Sequence, residues 1–316
     1  MVAHPDWAGL GLLLAQGLAV AWLGCVCLTW RLLARPPRRT AAFAIARGLP
    51  SDPGELAPAP AHWGQWTVRW RGVDIPVWEL PGARPQRPTV VLTHGWGDSR
   101  VTMLGRADAL RQSFARVVLW DLPGHGEAPG SCALGLREAG ALGALLDRLD
   151  GPAVLYGFSL GAGLSIRAAA ERPESAGGGG ARVTGVIAEA PYALPGTPAR
   201  AVARMRGLDV PGCVWAALLL AGLARGAGPR WLRAGGGFDR RAWAAQLRSR
   251  RVPLLVLHGS QDAVCPIDDG RAIAGAGGGQ LRQLAGCSHL TMWRTPGARD
   301  EAAAAVEAMA AAVASA

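Results

Sequence analysis

The sequence contains no lysine. Its 33 basic residues are all arginine, set against 23 acidic residues for a net charge of +10. With the abundant alanine and glycine, this points to a GC-rich coding sequence more than to a function. The arginines are scattered, and no basic helix or aromatic-interleaved patch is present. That pattern argues against a nucleic-acid partner, which needs clustered charge. It leaves a mild attraction to anionic membrane surfaces. The six cysteines do not form the framework of a small disulfide-stapled domain. Most read as small buried hydrophobes, with a Cys265–Cys287 redox pair as the alternative. No His/Cys/Asp group has metal-ligand spacing, so neither a metal nor an organic cofactor is implied. No internal repeat is found.

Charge is also missing from the whole stretch Ala8 to Trp30. As a helix, that stretch is long enough to cross a hydrocarbon core of roughly 30 Å. Trp7 and Trp30 bracket it, as interfacial aromatics do, and Arg31, Arg35, Arg38 and Arg39 follow at once. The other side offers only His4 and Asp6. The positive-inside rule then leaves the N-terminus outside and the main domain in the cytoplasm. A cleaved signal peptide is the rival reading. It requires positive charge before the apolar stretch, and the cleavage-like Ala44-Ile45-Ala46 lies beyond the arginines. A core helix is the third reading. Residues 1–39 are thus taken as a membrane anchor with its basic flank, and 40–61 as a Pro/Ala-rich linker.

A chain of 316 residues can bury one large α/β core, or one core plus a small cap. Trp66–Trp70 and Ile75–Leu80 alternate around Arg71–Asp74 and predict a β-hairpin. After it, strands are expected at Thr89–Thr93, Val117–Trp120, Ala153–Tyr156, Val183–Ala188, Leu254–Leu257 and Gln280–Leu284. Helices are expected at Met103–Phe114, Leu136–Leu149, Leu160–Glu171, Asp268–Ala274 and Arg299–Val313. This alternation predicts a mostly parallel sheet with helices on both faces, filling residues 62–316. Glycine runs at 177–180, 235–237 and 277–279 read as loop padding. Residues 192–249 break the rhythm, carry four prolines and contain the apolar run Val210–Ala224. They predict a helical cap over the C-terminal edge of the sheet. The apolar run either packs on the core or forms a lid that receives an acyl chain or touches the bilayer.

Gly157-Phe158-Ser159-Leu160-Gly161 stands where a short apolar strand meets a helix. A G-x-S-x-G at such a joint is a nucleophile elbow. The turn is too tight for side chains beside it, and the serine projects above the sheet. A serine hydroxyl needs a base, itself oriented by a carboxylate. Leu254–Leu257 leads into His258-Gly259-Ser260-Gln261-Asp262, which carries an acid at a strand's C-terminal end. Gly286-Cys287-Ser288-His289 follows the next strand. Ser159, Asp262 and His289 therefore occur in the chain order of this fold. Glu189 is the reserve for the acid. His94, His125 and His258, in glycine-flanked loops, read as structural. The oxyanion hole needs two N–H donors: Leu160 supplies one, and Trp96, in the loop 93–98, the other. The Trp96 ring either walls an acyl pocket or packs on the cap.

Over residues 64–316 these motifs resemble the α/β-hydrolase superfamily. The style is closest to bacterial esterases, monoacylglycerol lipases and serine aminopeptidases. The motifs that carry the resemblance are His94-Gly95, Asp121-Leu122-Pro123-Gly124-His125-Gly126-Glu127, the serine elbow, His258-Gly259-x-x-Asp262 and Gly286-x-x-His289. Glu127 departs from the pattern, standing where a serine is usual. The resemblance implies that Asp121 and its loop are structural. It also implies an α/β-hydrolase fold and cleavage of a carboxylic ester or thioester of a small acyl substrate through an acyl-enzyme; the N-terminal helix, read from its own apolar stretch, would place that activity at a membrane. A peptidase or an acyltransferase on the same triad, and an inactive binding module, remain as alternatives.

Overall fold

The computed structural model describes residues 7–172 and 179–315. His4 and Asp6, and part of the glycine run at 177–180, lie outside the described residues. The eight strands are β1 (Gly64–Trp70), β2 (Val73–Pro81), β3 (Thr89–Thr93), β4 (Arg116–Trp120), β5 (Pro152–Phe158), β6 (Arg182–Glu189), β7 (Leu254–Gly259) and β8 (Gln280–Leu284). They form one sheet in the order β1-β2-β4-β3-β5-β6-β7-β8. The β1–β2 hairpin and the β2–β4 pair are antiparallel. Every later pair is parallel. All eight expected strands form, each within a few residues of its expected bounds.

The two-residue period of a strand explains the core. Val91 of β3 joins a hydrophobic cluster on one face, while Val90 and Leu92 join a second cluster on the other. With both faces covered, β3 is buried along its whole length and reads as a continuous apolar run. The first cluster packs under α4 (Glu138–Leu146), α5 (Leu160–Glu171), α8 (Arg240–Ser249) and α9 (Ile267–Gly277). The second packs under α3 (Leu104–Leu110) and α10 (Pro296–Ala314). α3 and α4 are shorter than their apolar patterns suggest, because the flanking residues close in turns.

Two helices of the expected cap lie over the sheet edge: α6 (Gly196–Met205) and α7 (Cys213–Leu223). α8, inside the stretch expected as cap, is the crossover helix before β7 and packs on α5 and α9. The N-terminal helix α1 (Trp7–Ala34) is long and apolar enough to cross a membrane. It runs past Trp30 and ends just before Pro36-Pro37, which cannot continue it. Its last turns pack along α7. Behind it, α2 (Ala41–Ile45) buries Ala44 against the second core cluster.

Candidate active site

β5 ends at Phe158 and α5 begins at Leu160, so Ser159 alone makes the joint. Its backbone takes φ 53° and ψ −108°, a region that non-glycine residues rarely occupy. The flanking glycines show why the turn can close. A Cβ on Gly157 would lie 2.2 Å from the carbonyl oxygen of Gly161, and one on Gly161 would lie 2.1 Å from that of Thr93. The strained conformation is held from outside, since the Ser159 N–H donates to the Glu189 carbonyl at 2.8 Å. As the first residue of α5, Leu160 has an N–H with no partner inside the helix.

Asp262 and His289 come together. Asp262 Oδ2 lies 2.7 Å from His289 Nδ1, and Asp262 Oδ1 accepts the N–H groups of Val264 and Cys265 at 2.9 and 2.8 Å. The carboxylate is thus fixed by its own loop and turned to the imidazole. The His289 ring centroid is 4.9 Å from that of Phe158, the residue before Ser159. No hydrogen bond joins Ser159 to His289 among the described residues; such bonds often tighten only around a substrate. Burial disfavours the charged imidazole. The neighbouring Cys265 sulfur and the Asp262 carboxylate favour it, and the balance raises His289 above its ordinary 6.5. Burial pushes the Cys265 thiol up. All six cysteines, Cys265 and Cys287 included, are free thiols.

Glu189, the reserve acid, is engaged elsewhere. Its carboxylate accepts both Arg106 Nε and Nη2 at 2.7 Å, together with the Tyr156 hydroxyl and the Trp293 indole. The Arg106 guanidinium in turn stacks over Phe158, 4.5 Å from its centroid. Burial holds His94 down to about 4 and His125 to about 3. His94 Nε2 accepts the Leu122 N–H at 2.9 Å while Nδ1 faces the Gly95 carbonyl at 2.8 Å. His258 is also lowered by burial, with Nε2 2.7 Å from the Cys265 carbonyl. These three histidines are neutral props for loops. Asp121 accepts the backbone N–H groups of Arg100 and Glu127 at 2.7 and 2.9 Å and pairs with the buried Arg100 side chain. Glu127 also pairs with Arg100, which gives the unusual glutamate a local role.

A cavity of about 40 Å3 opens at Ser159. Ser159, Leu160, Trp96 and Tyr192 line it from the sheet side, and Pro198, Val202 and Leu218 from the cap. Leu33 of α1 lines it as well. The Trp96 indole donates to the Leu33 carbonyl at 2.9 Å.

A model of the alpha/beta hydrolase family matches residues 90–305. The chain belongs to that family. It is 31% identical over 241 residues to a biotin biosynthesis bifunctional protein of Cellvibrio japonicus, a match that covers 66% of this chain and 45% of the relative. It is 40% identical over 86 residues to a pimeloyl-[acyl-carrier protein] methyl ester esterase of Methylococcus capsulatus, covering 27% of this chain and 33% of that one. The chain spans less than half the length of these relatives. Among solved structures it resembles an esterase of Pyrococcus furiosus, with a TM-score of 0.62 and 17% identity over 87% of this chain and 96% of that one. A membrane phospholipase A matches 98% of both chains at a TM-score of 0.54 and 18% identity.

Sequence reasoning missed two parts of this α/β hydrolase. One is the Glu189–Arg106–Phe158 stack behind the elbow. Arg106 carried no signal, since it is one arginine among many on a surface-like helix. The other is Leu33, which the apolar pattern assigned to a separate anchor.

Proposed function

We propose that this α/β hydrolase is a membrane-anchored serine hydrolase that cleaves carboxylic esters or thioesters. The observation that carries the reading is the strained Ser159, open to an apolar cavity. The hydrogen-bonded Asp262–His289 pair adjoins it through Phe158. In this reading His289 takes the Ser159 proton and Ser159 attacks the carbonyl carbon. Asp262 steadies the imidazolium, and the Leu160 and Trp96 N–H groups hold the developing oxyanion. His289 returns the proton to the leaving alcohol or thiol. Water, deprotonated by His289, then releases the acid from the acyl-serine. The esterase named among the relatives favours an acyl ester or thioester as the substrate class.

An aminopeptidase would add a carboxylate to hold a free amine. The cap's Asp209 pairs with Arg200 and Arg204, and Asp239 with Arg241, and neither lines the cavity. A retained anchor fits better than a cleaved leader, because Leu33 is buried and Arg38 donates to the Gly126, Ala128 and Gly130 carbonyls. Cleavage after Ala46 would remove both.

The test is covalent labelling by a fluorophosphonate and hydrolysis of a p-nitrophenyl ester series, acetate to palmitate, by the full chain in detergent. Labelling and turnover that vanish in Ser159→Ala are expected. A folded protein that neither labels nor turns over any ester overturns the reading.

A further inference from the structure

Helix α1 has two regimes. From Trp7 to Leu23 it is almost wholly exposed, with leucines and tryptophans facing out. Further on, Val26, Thr29, Leu33 and Ala34 are buried along one face. Val26, Thr29 and Leu33 lie three and four residues apart and make a single stripe, with Ala34 beside its end. That stripe is seated on the hydrolase domain by specific bonds. The Trp22 indole donates to the Pro211 carbonyl at 3.0 Å, and the Cys132 N–H donates to the Ala34 carbonyl at 3.0 Å. Val26 packs with Cys213 and Ala217 of α7. At the end of the stripe, Leu33 reaches the cavity at Ser159, opposite the cap residue Leu218.

The cavity of about 40 Å3 is far smaller than an acyl chain. Its size is set by a few side chains, and Leu33 is the one contributed by the N-terminal helix. The Trp96 indole holds the Leu33 carbonyl, so the wall is joined to the loop proposed to carry an oxyanion donor. We infer that the membrane helix is part of the substrate site, with Leu33 as the residue that limits acyl-chain length and Trp96 as the positioning residue that fixes this wall. The inference rests on the proposed hydrolase reading.

The consequence is a change of selectivity, not of chemistry. Leu33→Ala removes three carbons from the wall, and even one more carbon accommodated in an apolar pocket is worth roughly tenfold in discrimination. The experiment is kcat/KM across the p-nitrophenyl acetate-to-palmitate series for the full chain in detergent, with Leu33→Ala, Leu33→Phe and Trp96→Phe. Leu33→Ala is expected to raise the long-to-short ratio about tenfold, and Leu33→Phe to lower it. Trp96→Phe is expected to act on KM for long chains more than on kcat. Equal ratios in all variants, with fluorophosphonate labelling intact, overturn the inference. Loss of labelling in the wild type overturns the hydrolase reading instead. Should Leu33→Ala unfold, Leu33→Val, which removes one carbon from the wall, carries the same test with a smaller shift expected.

Discussion

The Ser159 N–H donates to the Glu189 carbonyl at 2.8 Å, so the residue that closes β6 also holds the strained serine of the elbow. The Glu189 carboxylate is the buried partner of Arg106, with side chains 0% and 12% exposed. Structure and strain are thus coupled at one residue. Glu189→Gln leaves Arg106 uncompensated in a poorly solvated place. A loss of about 3–5 kcal/mol is expected, read by urea unfolding. The folded fraction is still expected to label with fluorophosphonate. A folded Glu189→Gln protein that does not label would show that the Glu189–Arg106 pair is needed to hold the elbow.

Against the burial that lowers it, the Cys265 sulfur and the Asp262 carboxylate together raise His289, and the direction of that shift fixes two pH dependences. A base must be neutral to accept the serine proton. The acidic limb of kcat/KM is therefore expected above pH 6.5, because the folded imidazole holds its proton longer than the free one. Asp262→Asn is expected to return the limb toward 6.5 and to cut kcat steeply. For stability the sign is the usual one for a raised histidine. Its contribution is complete below 6.5 and is lost as pH rises through the folded value. A limb at or below 6.5 in the wild type would show that the pair does not act as drawn.

His94 and His125 shift the opposite way. Both are buried and neutral, lowered to about 4 and about 3, so the unfolded chain takes up protons before the folded one does. Their contribution is complete above 6.5. It is lost as pH falls from 6.5 toward 4 and then 3, by at most on the order of 8 kcal/mol for the pair. The melting temperature is expected to fall over that window. His125→Phe is expected to flatten part of the fall, because its Nε2 has no partner to lose. A melting temperature constant from pH 6.5 to 4 would count against two neutral buried rings.

The elbow glycines give a sharper steric case. On Gly161 a methyl group would press 2.1 Å from the Thr93 carbonyl oxygen, a main-chain atom that cannot rotate away. Gly161→Ala is expected to cost about 3 kcal/mol or more and to abolish labelling together with stability. An alanine variant that is both stable and active would show that the turn has slack.

Much of this was legible in the sequence, for a physical reason. Buried parallel strands write themselves as apolar runs such as Thr89–Thr93, and the elbow needs Gly157 and Gly161 at fixed spacing from Ser159. Asp262 and His289 were legible as a pair because each lies in the loop that follows one of two neighbouring parallel strands, β7 and β8. The Glu189–Arg106 pair was not, since a partner 83 residues away leaves no local pattern. Nor was Leu33. A helix that is apolar enough for lipid reads the same on every face, and only tertiary packing distinguishes the face seated on α7 from the face left exposed. Asp239–Ser249 reads as cap by continuity with the proline-bearing stretch before it, yet its helix α8 belongs to the helical layer on the sheet, packed on α5 and α9.

The last prediction follows from that seating. Removing residues 1–60 deletes Leu33 from the cavity wall, the three carbonyl contacts of Arg38 and the Arg39–Asp98 pair. A freely tethered domain would not notice the loss. A seated one loses bonds from a charged donor and gains an exposed apolar scar around Trp96 and Leu218. A deficit of about 3 kcal/mol is reasonable for contacts of this kind, which corresponds to about 6–12 °C at this size. The chain from Ala61 onward, compared with the full chain in the same detergent by circular dichroism, is expected to melt lower by that amount. Equal melting temperatures would mean that α1 touches the domain without supporting it.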